Sequence, residues 1–322
     1  MKRRRISFNT LSLIVVVIVL FIVFTILQPN MATIFNIRNI LVQVSLTAIA
    51  AAGMTFAFTA GVFDMSIGSI LALVSVFMAK VASTKGLFPA IIVGILIGII
   101  VGIANGLIVT KLHIQAFAAT LVSMIIIRGM AVLMSSGADI PLYGMNAVKF
   151  ISSGTIAKIP FPIILMVLVY AICYFIYYKT AFGMKVRSVG SNESAAHTSG
   201  IKVDRIIIAA FVMTALTAVV SSFMKTAQVM FGKASIGEDF SLEVMTTVVL
   251  GGTAINGGSG NLTGSLIASI LIAVIKNGLN LLNVNTYYQQ LVIGIVFILA
   301  LILNGIREMR AQSKLKEGIG AA

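Results

Sequence analysis

The sequence predicts an all-α, polytopic membrane protein with about ten transmembrane helices and both termini cytoplasmic. Three observations carry that expectation: a charge-poor composition, apolar runs of bilayer length, and a one-sided distribution of lysine and arginine. Of 322 residues, 59% are hydrophobic and 10% charged, and the mean hydropathy is +1.09. A soluble domain is about 45–50% apolar and about 25% charged. One soluble core cannot bury so much apolar surface, which excludes an ordinary soluble enzyme and a disordered chain. The single cysteine, Cys173, sits in an apolar run, so no intrachain disulfide forms and no thiolate metal site is expected. Tryptophan is absent, which leaves Tyr and Phe to build any interfacial belt.

A membrane-crossing helix needs roughly 20 mainly apolar residues. Such runs are legible at 11–28, 40–60, 65–83, 87–109, 116–136, 161–178, 206–226, 243–256, 262–282 and 288–305. The third and eighth are short and flanked by glycine. Lys2, Arg3, Arg4 and Arg5 give the first run the look of a signal peptide. No small-residue cleavage pattern follows it, and Gln28-Pro29-Asn30 reads as a helix exit, so the span is expected to be retained.

Cytoplasmic loops collect lysine and arginine, which tests this layout independently. One side holds Lys2, Arg3, Arg4, Arg5, Lys111, Lys179, Lys185, Arg187, Lys202, Arg205, Arg307, Arg310, Lys314 and Lys316. The other holds only Arg38, Lys85, Lys149, Lys158 and Lys233. An odd number of spans would scramble that bias. The formal charge of +14 is therefore a topology signal and an attraction to anionic membrane lipid, with no nucleic-acid partner implied. Soluble segments are small: outer loops near 137–160 and 227–242, and an inner loop at 179–205.

Ionisable groups at membrane depth are costly and line cavities or pair. The sequence has Asp64, Arg128 and Lys276, with Glu243 near an outer edge. Arg128 and Lys276 either belong to a pathway or bond backbone carbonyls and headgroups. Neutral polar residues are commoner, among them Ser123, and they suit a neutral, hydroxyl-rich solute. The residues expected to line a solute route are Gln43, Asp64, Asn105, Thr120, Asn277 and Asn280. A proton pump would need a chain of carboxylates or histidines; His113 and His197, the two histidines, fall in predicted cytoplasmic loops. No catalytic or metal-ligating constellation is found.

Glycine organises the rest. Gly94, Gly98, Gly102 and Gly106 recur every fourth residue, a smooth stripe against which a neighbouring helix can pack. Two glycine-rich stretches, 61–69 and 251–260, interrupt apolar runs. They are followed alike by Gly68-Ser69-Ile70-Leu71-Ala72 and Gly264-Ser265-Leu266-Ile267-Ala268. Such paired interruptions mark the substrate route in many transporters; tight turns between short spans are the alternative. No Gly-Lys-Ser/Thr occurs, so ATP is not bound through that motif. In the inner loop, Asn192 suits a helix N-cap, Glu193 the positive end and Gly200 the stop. A short helix with a small face through Ala195 and Ala196 is expected there.

With these stretches in view, the chain resembles the permeases of bacterial ATP-driven monosaccharide importers, the ribose permease group. Residues 61–69 are similar to that family's Gly-Ile-Asp-Leu-Ser-Val-Gly-Ser. Residues 180–201 are similar to its Thr-x-Phe-Gly-Arg, Ala-Ile-Gly-Gly-Asn and Ser-Gly-Ile elements. Residues 248–260 and Asn277-Gly278-Leu279-Asn280-Leu281-Leu282 complete the likeness, which covers nearly the whole chain as one permease domain. The resemblance implies alternating access without covalent chemistry in this subunit, which holds no cofactor of its own. It also implies separate ATP-binding-cassette ATPase subunits that bind ATP and Mg, an extracytoplasmic sugar-binding protein, a second permease copy, and the bacterial cytoplasmic membrane. The loop residues Gly190, Asn192, Glu193, Ala195, Ala196 and Gly200 would form the coupling helix that docks on the ATPase. The chain departs from the pattern at Phe63, Met65, Met184, Ser191 and Lys276, changes that bear on ATPase choice and on cargo. A branched-chain amino acid permease and an ion-coupled secondary transporter are the alternatives.

Overall fold

Helix α1 (Phe8–Leu27) leads through a 3-10 turn into the long helix α2 (Ile34–Thr59). The structure, a computed structural model, describes residues 8–320; Lys2, Arg3, Arg4 and Arg5 lie outside the described residues. A break separates α2 from α3 (Ile67–Lys85), after which come α4 (Leu87–Lys111) and α5 (Ala116–Ser135). The next connection holds β1 (Ile140–Pro141), α6 (Asn146–Ser153) and a small hairpin of β2 (Thr155–Ile156) and β3 (Ile159–Pro160). Helix α7 (Phe161–Lys179) returns, and α8 (Ala181–Ser191) and α9 (Glu193–Thr198) lead into α10 (Val203–Val229). β4 (Phe231–Gly232) pairs antiparallel with β1. The chain ends with α11 (Phe240–Leu250), α12 (Leu262–Leu281) and α13 (Thr286–Gly320).

Among the described residues, eight helices are long and apolar enough to cross a membrane, which makes this an all-α, multi-pass membrane protein. Of the two other runs, Phe240–Leu250 is a shorter apolar helix, and residues 286–302 are the apolar opening of the 35-residue helix α13. The full span expected at 243–256 is therefore corrected to a helix of 11 residues. Its cause is local: Gly251 and Gly252 follow Leu250, Gly252 takes a φ of 86°, and the chain turns through 251–261 instead of continuing. The inner loop also holds more helix than the one short helix expected there, since α8 precedes α9. Phe182, Val186 and Val189 share one face of α8, and the two valines are buried.

The bundle has two layers. Helices α2, α3, α10 and α12 form the interior: 83% of the apolar window of α2 is buried, against 11% for α1. Sequence explains the division. α2 and α10 are rich in Ala, Ser and Thr, small residues that let backbones approach. α1, α4, α5 and α7 carry Val, Ile, Leu and Phe outward, as Ile22, Ile100, Ile125 and Phe175 show. In a bilayer that surface faces lipid.

The glycine stripe of α4 packs as expected. All four glycines lie against α10, and a Cβ on Gly102 would stand 2.7 Å from the Cα of Val212, with the Phe211 carbonyl at 3.1 Å. Backbone cannot yield as a flexible side chain can. Gly102→Ala is therefore expected to lower the melting temperature of the purified protein through about 1–3 kcal/mol of overpacking. Gly129→Ala, with open space around it, leaves the melting temperature unchanged or slightly higher. Thermal melts in detergent compare the two.

Candidate functional site

The first break begins where Gly61 ends α2. Its φ of 81° lets the Val62 N–H reach back to the Ala57 carbonyl at 3.0 Å. Beyond it, the Asp64 carboxylate accepts from the backbone N–H and hydroxyl of Ser66 at 2.9 and 2.6 Å, just ahead of α3. Asn105 donates to the Ser66 hydroxyl at 2.8 Å. Thr120 accepts from the Met65 N–H at 3.1 Å and donates to carbonyls of its own turn. Three of the expected route residues, Asp64, Asn105 and Thr120, thus converge on one buried network that fixes the break. The second carboxylate oxygen of Asp64 is buried without a hydrogen-bond partner among the described residues.

The residues of 230–239 fold in beside α3, so the start of α11 meets the start of α3. Ser241 Oγ donates to the Met65 carbonyl at 2.8 Å and accepts from the Gly68 N–H at 3.0 Å. Arg128 donates to the carbonyls of Ala234, Ile236 and Gly68, so it pins this segment by bonding backbone.

Above that junction lies a polar pocket of about 470 Å³ between α2, α10, α11, α12 and the start of α13. Gln43 and Asn280 line it, together with Thr47, Lys225, Gln228, Glu243, Lys276 and Gln289. Glu243, buried on α11, accepts from Lys276 at 2.8 Å and from Thr47 at 2.7 Å. Asn277 stands apart and accepts from Asn36 Nδ2 at 2.8 Å, tying α12 to α2. The sequence had flagged Glu243 and Lys276 without joining them. Helical spacing could have added Thr47, one turn from Gln43, and Lys276, one turn from Asn280. Lys225 was missed because it stands at the end of a run, where lysine ordinarily reaches for headgroups.

At the other end of α11 three backbones meet. The Gly258 N–H donates to the Thr59 carbonyl at 2.8 Å. A Cβ on Gly190 would stand 1.8 Å from that carbonyl oxygen, and one on Gly257 would stand 2.8 Å from the Gly190 carbonyl oxygen. Both glycine-rich breaks therefore close on the end of α8. Asn261 completes the second break: its Oδ1 accepts from Gly264 at 3.0 Å and its Nδ2 donates to Gly251 at 3.0 Å.

Helix α9 projects from this junction. Asn192 Oδ1 accepts from the Ala195 N–H at 2.9 Å, and Gly200, at φ 80°, closes the other end. The Ile201 N–H there reaches the Ala196 carbonyl at 3.0 Å. Asn192, Glu193, Ala195 and Gly200 are exposed, whereas Ala196 is buried and Gly190 is half-buried in the junction.

The model of the family described as branched-chain amino acid transport system / permease component matches residues 36–301. The chain is 39% identical over 289 residues to the ribose import permease protein RbsC of Bacillus subtilis, covering 89% of each chain. It is 34% identical over 292 residues to the protein of that name in Haemophilus influenzae, covering 89% of this chain and 90% of that one. To the L-arabinose transport system permease protein AraH of Escherichia coli it is 33% identical over 296 residues, 91% of this chain and 89% of that one. No solved structure matches. With more than four-fifths of its length matched, the chain belongs to the family of transport-system permease components.

Proposed function

We propose that this chain is the membrane-spanning subunit of an ATP-binding-cassette importer that moves a monosaccharide into a bacterial cell. The observation that carries the proposal is structural continuity between two sites. Helix α11 has Glu243 in the polar pocket near its first turn and delivers the chain, past Leu250, into the break bonded to Thr59 and packed on Gly190 and Ser191. Exposed α9 grows from that same junction. A push on α9 by a partner would shift the break, α11 and the pocket wall together, because close-packed backbone transmits displacement. The ribose and arabinose permeases similar along nine-tenths of this chain support a sugar as cargo.

In this reading separate ATPase subunits bind ATP and Mg and hold α9 in a groove, with both termini on that side. A sugar-binding protein delivers cargo to the opposite side, and a second permease copy completes the pore. The subunit itself moves cargo by alternating access and makes or breaks no covalent bond. The family description favours a second cargo, a branched-chain amino acid. Amide, hydroxyl and charged groups make up most of the pocket lining, which suits hydroxyls better than an aliphatic side chain.

Vesicles holding the chain and its ATPase, with the binding protein outside, are expected to take up a pentose or hexose only when ATP is inside. Uptake driven by an ion gradient with no ATPase present would contradict the proposal. Two variants separate docking from folding. Glu193→Lys, on the exposed start of α9, is expected to cut ATP-driven uptake several-fold while leaving the melting temperature unchanged. Gly190→Ala forces a Cβ against the Thr59 carbonyl and is expected to lower the melting temperature as well.

A further inference from the structure

A second cavity lies in the outer layer of the bundle. Helix α7 packs on α2 and α4 packs on α10, which leaves a cleft of about 730 Å³ between them, with α10 supplying most of its lining. Ile103, Ile176, Phe182, Val212 and Met213 make its walls apolar. Ile100, one turn from Ile103, and Phe175, beside Ile176, are exposed, so the cleft opens where the bundle meets lipid. Two polar side chains line it, Thr180 at the end of α7 and Arg205 in the first turn of α10, both at the α8–α9 end. The Thr180 hydroxyl is engaged, donating to the Ile176 carbonyl at 2.6 Å. The Arg205 guanidinium makes no hydrogen bond and no ion pair among the described residues. Its neighbour Asp204 is taken by Lys111. Lys179 precedes Thr180, and Lys202 stands one turn before Arg205; neither has an ion pair among the described residues. One end of an apolar cleft thus carries three cations that no carboxylate neutralises.

We infer that this cleft binds an anionic phospholipid from the leaflet on the α9 side, with one acyl chain along α10 and the phosphate on Arg205. The inference is independent of cargo and uses the importer reading for one thing only, that this leaflet is the cytoplasmic one. From Arg205 to Met213 the helix rises about 12 Å, an apolar track that ends at the guanidinium. Lipid tails are as apolar as the cleft walls, so apolar contact alone gives no preference for one lipid over another. Charge gives it. A guanidinium offers paired N–H donors to two phosphate oxygens, and Lys179 and Lys202 add point charges beside it. A zwitterionic headgroup brings its own cation and cancels that attraction, whereas a net negative one keeps it. Phe182 walls the cleft and its ring stacks on that of Phe56 at 6.1 Å, so a seated chain bears on α8, the helix that carries α9.

Native mass spectrometry of the purified chain, titrated with phosphatidylglycerol or with phosphatidylcholine of the same chain lengths, tests this. The first phosphatidylglycerol adduct is expected at the lower lipid concentration. Arg205→Gln is expected to weaken phosphatidylglycerol binding about 5-fold or more and to leave phosphatidylcholine binding unchanged, while Arg205→Lys keeps the preference. Ala209→Leu, which fills the cleft from α10, is expected to remove the preference without lowering the melting temperature in lipid-free detergent. Equal binding of the two lipids, or a preference that survives either Arg205→Gln or Ala209→Leu, overturns the inference. So does a dimer lost on Ala209→Leu with lipid binding unchanged, which would seat a second copy of the chain in the cleft. None of these outcomes bears on the importer reading, which stands or falls on uptake.

Discussion

The meeting of Thr59, Gly190 and the 257–258 pair is the contact on which the rest of the molecule depends. A carbonyl at the end of α2 receives the N–H of Gly258, and the end of α8 closes over both with no space for a Cβ. Three segments far apart in sequence are thereby locked in register. If that contact is widened, α9 loses its fixed position relative to α11, and the break after α11 loses its anchor. The glycines here are required by distance, because backbone lies where side chains would stand.

From that junction the architecture follows in two directions. Outward, α9 is a short, doubly capped helix whose exposed face is free for a partner. Inward, α11 runs back to the pocket, where Glu243 joins it to α12 through Lys276 and to α2 through Thr47. The starts of α3 and α11 meet through Ser241, and Arg128 holds the connecting segment by its carbonyls. These polar contacts replace the helical hydrogen bonds that the breaks forgo, which is how an irregular backbone is tolerated inside a membrane protein. An inner layer of small residues lets these segments approach, and the apolar outer helices enclose them.

Local chemistry was legible in the sequence, and assembly was not. The caps of α9 were readable because Asn192 and Gly200 act within a few residues of themselves. The stripe from Gly94 to Gly106 was readable because its period is the helix's own. Asp64, Asn105 and Thr120 carried the right polarity for a solute route but turn toward the first break, since helix rotation is set by packing that no single run records. The pocket needed the 230–239 segment folded against α3, where the Gly237 carbonyl approaches Gly68, and no local pattern announces that fold. Gln43 and Asn280 reached the pocket, while Lys225 was hidden by its place at a helix end.

Movement between α9 and the pocket is the central claim, and thiol labelling at the pocket reads it directly. The native thiol, Cys173, is buried at 2% exposure and gives little background. A cysteine introduced by Ser235→Cys lines the pocket from an exposed position. Its rate of labelling by a water-soluble maleimide would be measured in the assembled importer with ATP withheld, bound without hydrolysis, and hydrolysed. The rate is expected to change with the nucleotide state and to return to one value when Glu193→Lys uncouples α9. A rate identical in every nucleotide state of a complex that still transports would contradict such movement.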